Sequence, residues 1–249
     1  MALLTIETGS PTLRMTTSIH VISPCDAGCQ DNGTLYLLHG AGDNASTWHR
    51  LTTIEQYATQ YGCTVIMPGV NRSYYTDMSY GLDYFTYVTQ ELPDLCSRVL
   101  KFNTDPEKTF VAGLSMGGYG ALKCALTYPD KYRKAVSLSG VTDIQRRLRD
   151  PAMTPELIRE MQGVFGELLQ VEPQDDLYAL ARKLLLDGGK RPSLLCCCGA
   201  EDPFVQMNRE FAQYMSTTAF HYRYVEAPGT HDWRFWEQHL KTTFEFLFG

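Results

Sequence analysis

The sequence predicts an α/β protein: a mostly parallel, doubly wound sheet with an antiparallel N-terminal hairpin and a helical lid insertion. Three observations predict it. Short apolar, β-prone runs (Thr34–Leu38, Cys63–Met67, Thr109–Ala112, Ser193–Cys198) lack polar alternation, as strands covered on both faces do. Segments with helical spacing and short connections separate them, the alternation that builds a parallel sheet. At Gly113-Leu114-Ser115-Met116-Gly117 a strand-like run passes directly into a helical one through a serine between glycines.

In chain order, Ala2–Glu7 and Leu13–Ile22 are β-rich and partly alternating, and Gly9-Ser10-Pro11 between them predicts a hairpin at the sheet edge. A turn runs from Pro24 to Gly33. Thr34–Leu38 is the first covered strand and ends at His39-Gly40-Ala41-Gly42. Asn44 or Ser46 caps a helix reaching Tyr61, Cys63–Met67 is the next strand, and Val70–Asp83 is a long polar-aromatic loop. Spacing through Tyr84, Val88, Leu92, Leu95 and Val99 predicts a helix over Tyr84–Leu100, kinked at Pro93, where an N–H is missing. Thr109–Ala112 is a strand, Met116–Thr127 a helix and Tyr132–Leu138 a strand. From 142 to 190 the chain carries charges, Pro151, Pro155, Pro173 and helical patterns but no strand-like run, which reads as an inserted helical lid. Ser193–Cys198, a helix over Phe204–Met215, a strand over Phe220–Glu226 and an amphipathic helix over Trp233–Phe248 complete the chain. The length of 249 residues suits one α/β domain over 1–249 with the 142–190 segment inserted within it.

A hydrophobic content of 44% is that of a packed globule. The net charge of −6 and the lack of a lysine or arginine run give no reason to expect nucleic acid or an anionic membrane as partner. No stretch approaches the roughly 20 apolar residues of a membrane helix. The opening residues carry no positive region before an apolar run, so the reading is a cytoplasmic protein. Most of the eight cysteines fall in apolar segments. Neighbours within Cys196-Cys197-Cys198 point to opposite faces of a strand, a poor arrangement for a metal cluster. Cys25 and Cys29 share a loop without a second pair of ligand spacing, so neither metal nor cofactor is expected. A homo-oligomer is consistent with base rates alone.

The G-x-S-x-G stretch is the nucleophile elbow, a strand-to-helix turn that lifts a serine hydroxyl above a parallel sheet. A serine is hardly ionised and needs a histidine to take its proton during attack. Of six histidines, His231 lies in a loop directly after a strand, at Pro228-Gly229-Thr230-His231-Asp232. Strand ends in such a sheet share one edge, which brings Ser115 and His231 to the same side. The histidine needs a carboxylate to fix its tautomer. Asp202, after Ser193–Cys198, is the choice, with Glu201 the competitor and a helix cap before Pro203 the other job Asp202 could do. Donors for a tetrahedral oxyanion are the N–H of Met116 and that of Ala41, with Gly42 as the alternative to Ala41. His39 would brace that loop. Tyr74, Tyr75 and Tyr80 either line the substrate pocket or pack their own loop.

LLHGAGDNASTW, MPGVNRSYYTDMSYGLDYFTYVTQELP, GLSMGGYGAL and GAEDPF with GTHDWRFW resemble the bacterial tributyrin esterase group, relatives of esterase D, S-formylglutathione hydrolase and feruloyl esterases. The resemblance covers nearly the whole chain. It implies an α/β-hydrolase fold and a metal-independent serine carboxylesterase acting on small esters with acetyl to butyryl chains. It implies Ser115, Asp202 and His231 as the triad, and Ala41 and Met116 as oxyanion donors. An S-formylglutathione hydrolase or an acyltransferase would use the same machinery. A non-catalytic protein of this fold would be expected to have lost a triad member.

Overall fold

The structure, a computed structural model, describes residues 1–24 and 32–249. The Cys25 and Cys29 pair lies outside the described residues. Eight strands form one sheet: β1 (Ala2–Ser10), β2 (Met15–Ser23), β3 (Thr34–Leu38), β4 (Thr64–Pro68), β5 (Thr109–Leu114), β6 (Lys134–Leu138), β7 (Ser193–Gly199) and β8 (Tyr222–Ala227). Their spatial order is β1-β2-β4-β3-β5-β6-β7-β8. β1 and β2 form the antiparallel hairpin and β2 runs antiparallel to β4; every other pairing is parallel. The order reverses between β3 and β5, the crevice where an open α/β sheet binds its ligand.

The apolar runs are covered strands because alternate residues enter two different cores. Tyr36, Leu38, Val111, Ala135 and Cys196 pack on one face. Leu35, Leu37, Ala112, Val136 and Cys197 pack on the other. Adjacent cysteines of β7 thus face opposite ways. The first core is closed by the helix Met116–Thr127 and by helices between β6 and β7. The second is closed by Trp48, Ile54 and Ala58 and by Phe235, Leu240 and Phe244 from the C-terminal helices.

Three helices differ from their sequence pattern. The expected helix to Tyr61 is two, Thr47–Leu51 and Ile54–Tyr61, because Thr52 is extended and its hydroxyl donates to the Trp48 carbonyl. Tyr84–Leu100 stays helical through Pro93 with wide π turns at Tyr87–Glu91 and Cys96–Leu100. The Thr89 carbonyl, four residues before the proline, accepts from Lys131 Nζ at 2.8 Å instead. The last helix divides at His239 into Trp233–Gln238 and Leu240–Phe248. Between β6 and β7 lie helices Ile144–Leu148, Pro155–Phe165 and Leu177–Asp187. No described helix is long and apolar enough to cross a membrane.

Candidate active site

Ser115 sits between β5 and the helix Met116–Thr127 with φ 54° and ψ −117°. A serine there stores of order 1–3 kcal/mol of backbone strain, which the surroundings must hold. Its N–H donates to the Leu138 carbonyl at 2.8 Å, and its carbonyl accepts from the Tyr119 N–H at 3.1 Å. Two close approaches make the turn possible. A Cβ on Gly113 would run into the Gly117 carbonyl, and one on Gly117 into the Leu38 carbonyl on β3. Any side chain at either position would push the helix off the strands.

The loop after β8 brings His231 Nε2 to 2.9 Å from Ser115 Oγ, and His231 Nδ1 lies 2.9 Å from Asp202 Oδ2. Asp202 is only 2% exposed. A carboxylate facing Nδ1 selects the tautomer that carries its proton there, which leaves Nε2 as an acceptor for the serine hydroxyl. Asp202 Oδ1 accepts from the Phe204 N–H at 2.8 Å, so one side chain both shapes the turn into the next helix and faces the imidazole. The neighbouring acids are engaged elsewhere. Glu201 Oε2 accepts from the Gly229 N–H at 2.7 Å and ties the histidine loop to β7. Asp232 caps Trp233–Gln238 by accepting from the Phe235 N–H at 2.9 Å. Phe204 and Trp236 grip the His231 ring edge to face, with centroids 5.0 and 5.2 Å away.

The loop after β3 lies against the serine, since a Cβ on Gly40 would sit 3.6 Å from Ser115 Cβ. Its Gly40 carbonyl accepts from His39 Nδ1 at 2.8 Å and from the Asp43 N–H at 3.1 Å. A trans peptide points its N–H opposite its carbonyl, so these two bonds also fix the direction of the Ala41 N–H. His39 Nε2 accepts from the Val70 N–H at 3.1 Å, which requires the proton on Nδ1 and a neutral ring. Burial lowers the His39 pKa, in keeping with that state.

Comparison with known proteins shows the family. The Esterase family, described as "Putative esterase", matches residues 10–247. The chain belongs to this family. It is a serine hydrolase and esterase of the α/β-hydrolase fold. An acetyl esterase of Caldicellulosiruptor saccharolyticus is 31% identical over 264 residues, spanning 99% of this chain and 98% of that protein. The substrate-bound structure of FphF, a fluorophosphonate-binding serine hydrolase of Staphylococcus aureus, aligns with TM-score 0.92 at 33% identity over 100% of this chain and 98% of that one. The S-formylglutathione hydrolase FrmB from Staphylococcus aureus aligns with TM-score 0.89 at 33% identity over 100% of this chain and 99% of its own.

In this esterase the three tyrosines singled out from the sequence have different surroundings. Tyr75 is fully buried and its hydroxyl donates to the His39 carbonyl at 2.9 Å. Tyr74 is buried, its N–H donates to Met116 Sδ at 3.3 Å and its ring meets Tyr119 and Phe165. Tyr80 is exposed, and its N–H donates to the Gly163 carbonyl at 2.9 Å, so this loop and the helix Pro155–Phe165 are sewn together. Sequence reasoning missed Phe204 and Trp236 as the clamp on His231, and the buried ion pair of Lys123 with Asp175, 2.5 Å apart. Lys123 had a signal: it is the one charge in the otherwise uncharged helix Met116–Thr127. Among the described residues no group of three or more His, Cys, Asp or Glu side chains is placed to hold a metal ion.

Proposed function

We propose that this esterase hydrolyses short acyl esters, acetyl to butyryl, through an acyl-enzyme on Ser115. The observation that carries the reading is the continuous line of hydrogen bonds from Ser115 Oγ through His231 to Asp202. His231 Nε2 takes the hydroxyl proton as Oγ attacks the acyl carbon. The oxyanion is received by the N–H groups of Met116 and Ala41. His231 then gives the proton to the leaving alkoxide, and the ester C–O bond breaks. Water, deprotonated by the same nitrogen, attacks the acyl-enzyme and releases the acid with Ser115 restored. Asp202 holds the tautomer and stabilises the imidazolium at each stage. We assign the 142–190 segment as a lid over this edge of the sheet. The full-length likeness to an acetyl esterase supports the short acyl range.

A second reading, an S-formylglutathione hydrolase, has the same steps with a thiolate leaving group. It is favoured by the full-length likeness to FrmB. Labelling with a fluorophosphonate probe, then p-nitrophenyl esters from acetate to decanoate beside S-formylglutathione, tests both. We expect labelling that Ser115→Ala abolishes and rates that fall beyond butyrate. Labelling that persists in Ser115→Ala would overturn the site, and flat rates along the series would overturn the short acyl range.

A further inference from the structure

Arg72, in the loop after β4, joins two parts of the molecule through one guanidinium group. Its Nη1 donates to the Ala41 carbonyl at 3.0 Å, and its Nε donates to Glu160 Oε1 at 2.7 Å on the helix Pro155–Phe165. Both side chains are partly exposed, 49% and 28%, so the ion pair adds little to overall stability. Its effect is directional. The planar guanidinium offers its donors in a fixed fork, so the acceptor on one arm sets where the other arm points.

The Ala41 loop needs such a support. Ala41 lies between Gly40 and Gly42; its side chain packs against the first core, while a Cβ on Gly42 would touch nothing within 4 Å, so the Gly42 side of the loop is open. Hydrogen bonds set its course. The peptide before Ala41 is fixed by His39 and the Asp43 N–H, and the peptide after it by Arg72.

We propose that Arg72 is a positioning residue for the Ala41 oxyanion donor and that Glu160 acts through it. The helix Pro155–Phe165 then influences the rate of acyl transfer as well as access to Ser115. The inference rests on the assignment of the Ala41 N–H as a donor to the oxyanion. Transition-state binding should feel the loss of Arg72, and ground-state binding should not, because the donor engages only when charge develops on the substrate oxygen.

The test compares wild type, Arg72→Met, Glu160→Gln and the double variant. Each is assayed with p-nitrophenyl acetate and for the rate of phosphonylation by a fluorophosphonate. Removing an oxyanion donor costs about 10²–10³ in kcat, and misaligning one costs less. We expect Arg72→Met to lower kcat by about tenfold with KM within about twofold, and to slow phosphonylation by a similar factor. Glu160→Gln should lower kcat by about threefold, and the double variant should fall no further than Arg72→Met, because both changes act through one contact. An unchanged kcat in Arg72→Met, a rise in KM alone, or a fully additive double variant would overturn the proposal. Should Arg72→Met fail to fold, Glu160→Gln decides alone, and an unchanged kcat there overturns it. Wild type unlabelled at Ser115 would defeat the site assignment and this inference with it. Labelled wild type with full-rate Arg72→Met would defeat this inference only.

Discussion

His39 Nδ1 donates to the carbonyl of Gly40 at 2.8 Å, and this short local bond orients a donor group one residue further along the chain. Replacing the ring with Gln, which cannot reach Gly40 and Val70 with the same geometry, should lower kcat by about 10–100-fold. The unpaired Val70 N–H should also cost about 1–3 kcal/mol of stability. Steady-state kinetics and urea unfolding check both. Full activity in His39→Gln would show that the Gly40–Ala41 peptide is held without it.

Stability should fall on the acid side of neutrality. Burial lowers the pKa of His39, and burial is also the leading cause of the lowered values of His20 and His49. A histidine whose folded pKa lies below its unfolded value of about 6.5 resists protonation only while the chain is folded. Below that pH the unfolded chain binds more protons, so the contribution is complete above about 6.5 and is lost as the pH falls through it. Urea midpoints at pH 8 and pH 5.5 measure the effect. The difference should shrink in His39→Gln, and a midpoint that rises toward pH 5.5 in wild type would contradict the sign.

Asp202 and Glu201 are adjacent but should behave very differently. Asp202→Asn offers His231 Nδ1 an amide in place of a carboxylate, and we expect kcat to drop by about 10⁴-fold. Glu201→Gln keeps an acceptor for the Gly229 N–H and should cost less than about tenfold. Parallel kcat measurements on p-nitrophenyl acetate separate them, and equal losses would mean that the loop, rather than the charge facing His231, is what Asp202 supplies.

The ion pair of Lys123 and Asp175 is buried on both sides, with Lys123 Nζ also donating to the Tyr75 carbonyl at 3.0 Å. Breaking such a pair from one side leaves an uncompensated charge, so Lys123→Met should destabilise by about 3–5 kcal/mol. Combining it with Asp175→Leu should recover part of that loss, because two apolar side chains leave no orphaned charge. Denaturant unfolding of the two singles and the double closes the cycle. A double variant no more stable than Lys123→Met would argue that the site cannot repack.

Much of the sheet was legible because its information is local. The unbroken apolarity of Thr34–Leu38 follows from two cores meeting at one strand, and the glycines around Ser115 follow from carbonyls that lie against them. Parallel strands deliver their ends to one edge, which is why the sequence could place Ser115, Asp202 and His231 on the same side of the sheet. Side-chain pairings across long sequence gaps that no strand end delivers were not legible. Lys123 announces a need for an anion, but nothing in the spacing names Asp175, 52 positions away. The Thr89 carbonyl before Pro93 is met by Lys131, which reaches it from another element. Arg72 looks like any loop arginine until the fold brings Ala41 and Glu160 to it.

The Tyr119 hydroxyl donates to the Asp175 carbonyl at 2.7 Å, beside the Lys123 contact, so the segment between β6 and β7 is riveted to the helix that follows Ser115. If, as proposed, this segment covers Ser115, a cover fastened at its base to the helix Met116–Thr127 should not swing open between turnovers. On that reading substrate entry needs no opening of the segment, and kcat should hold steady as sucrose thickens the solvent. A kcat that falls in proportion to solvent viscosity would mean that this rivet lets go in every cycle.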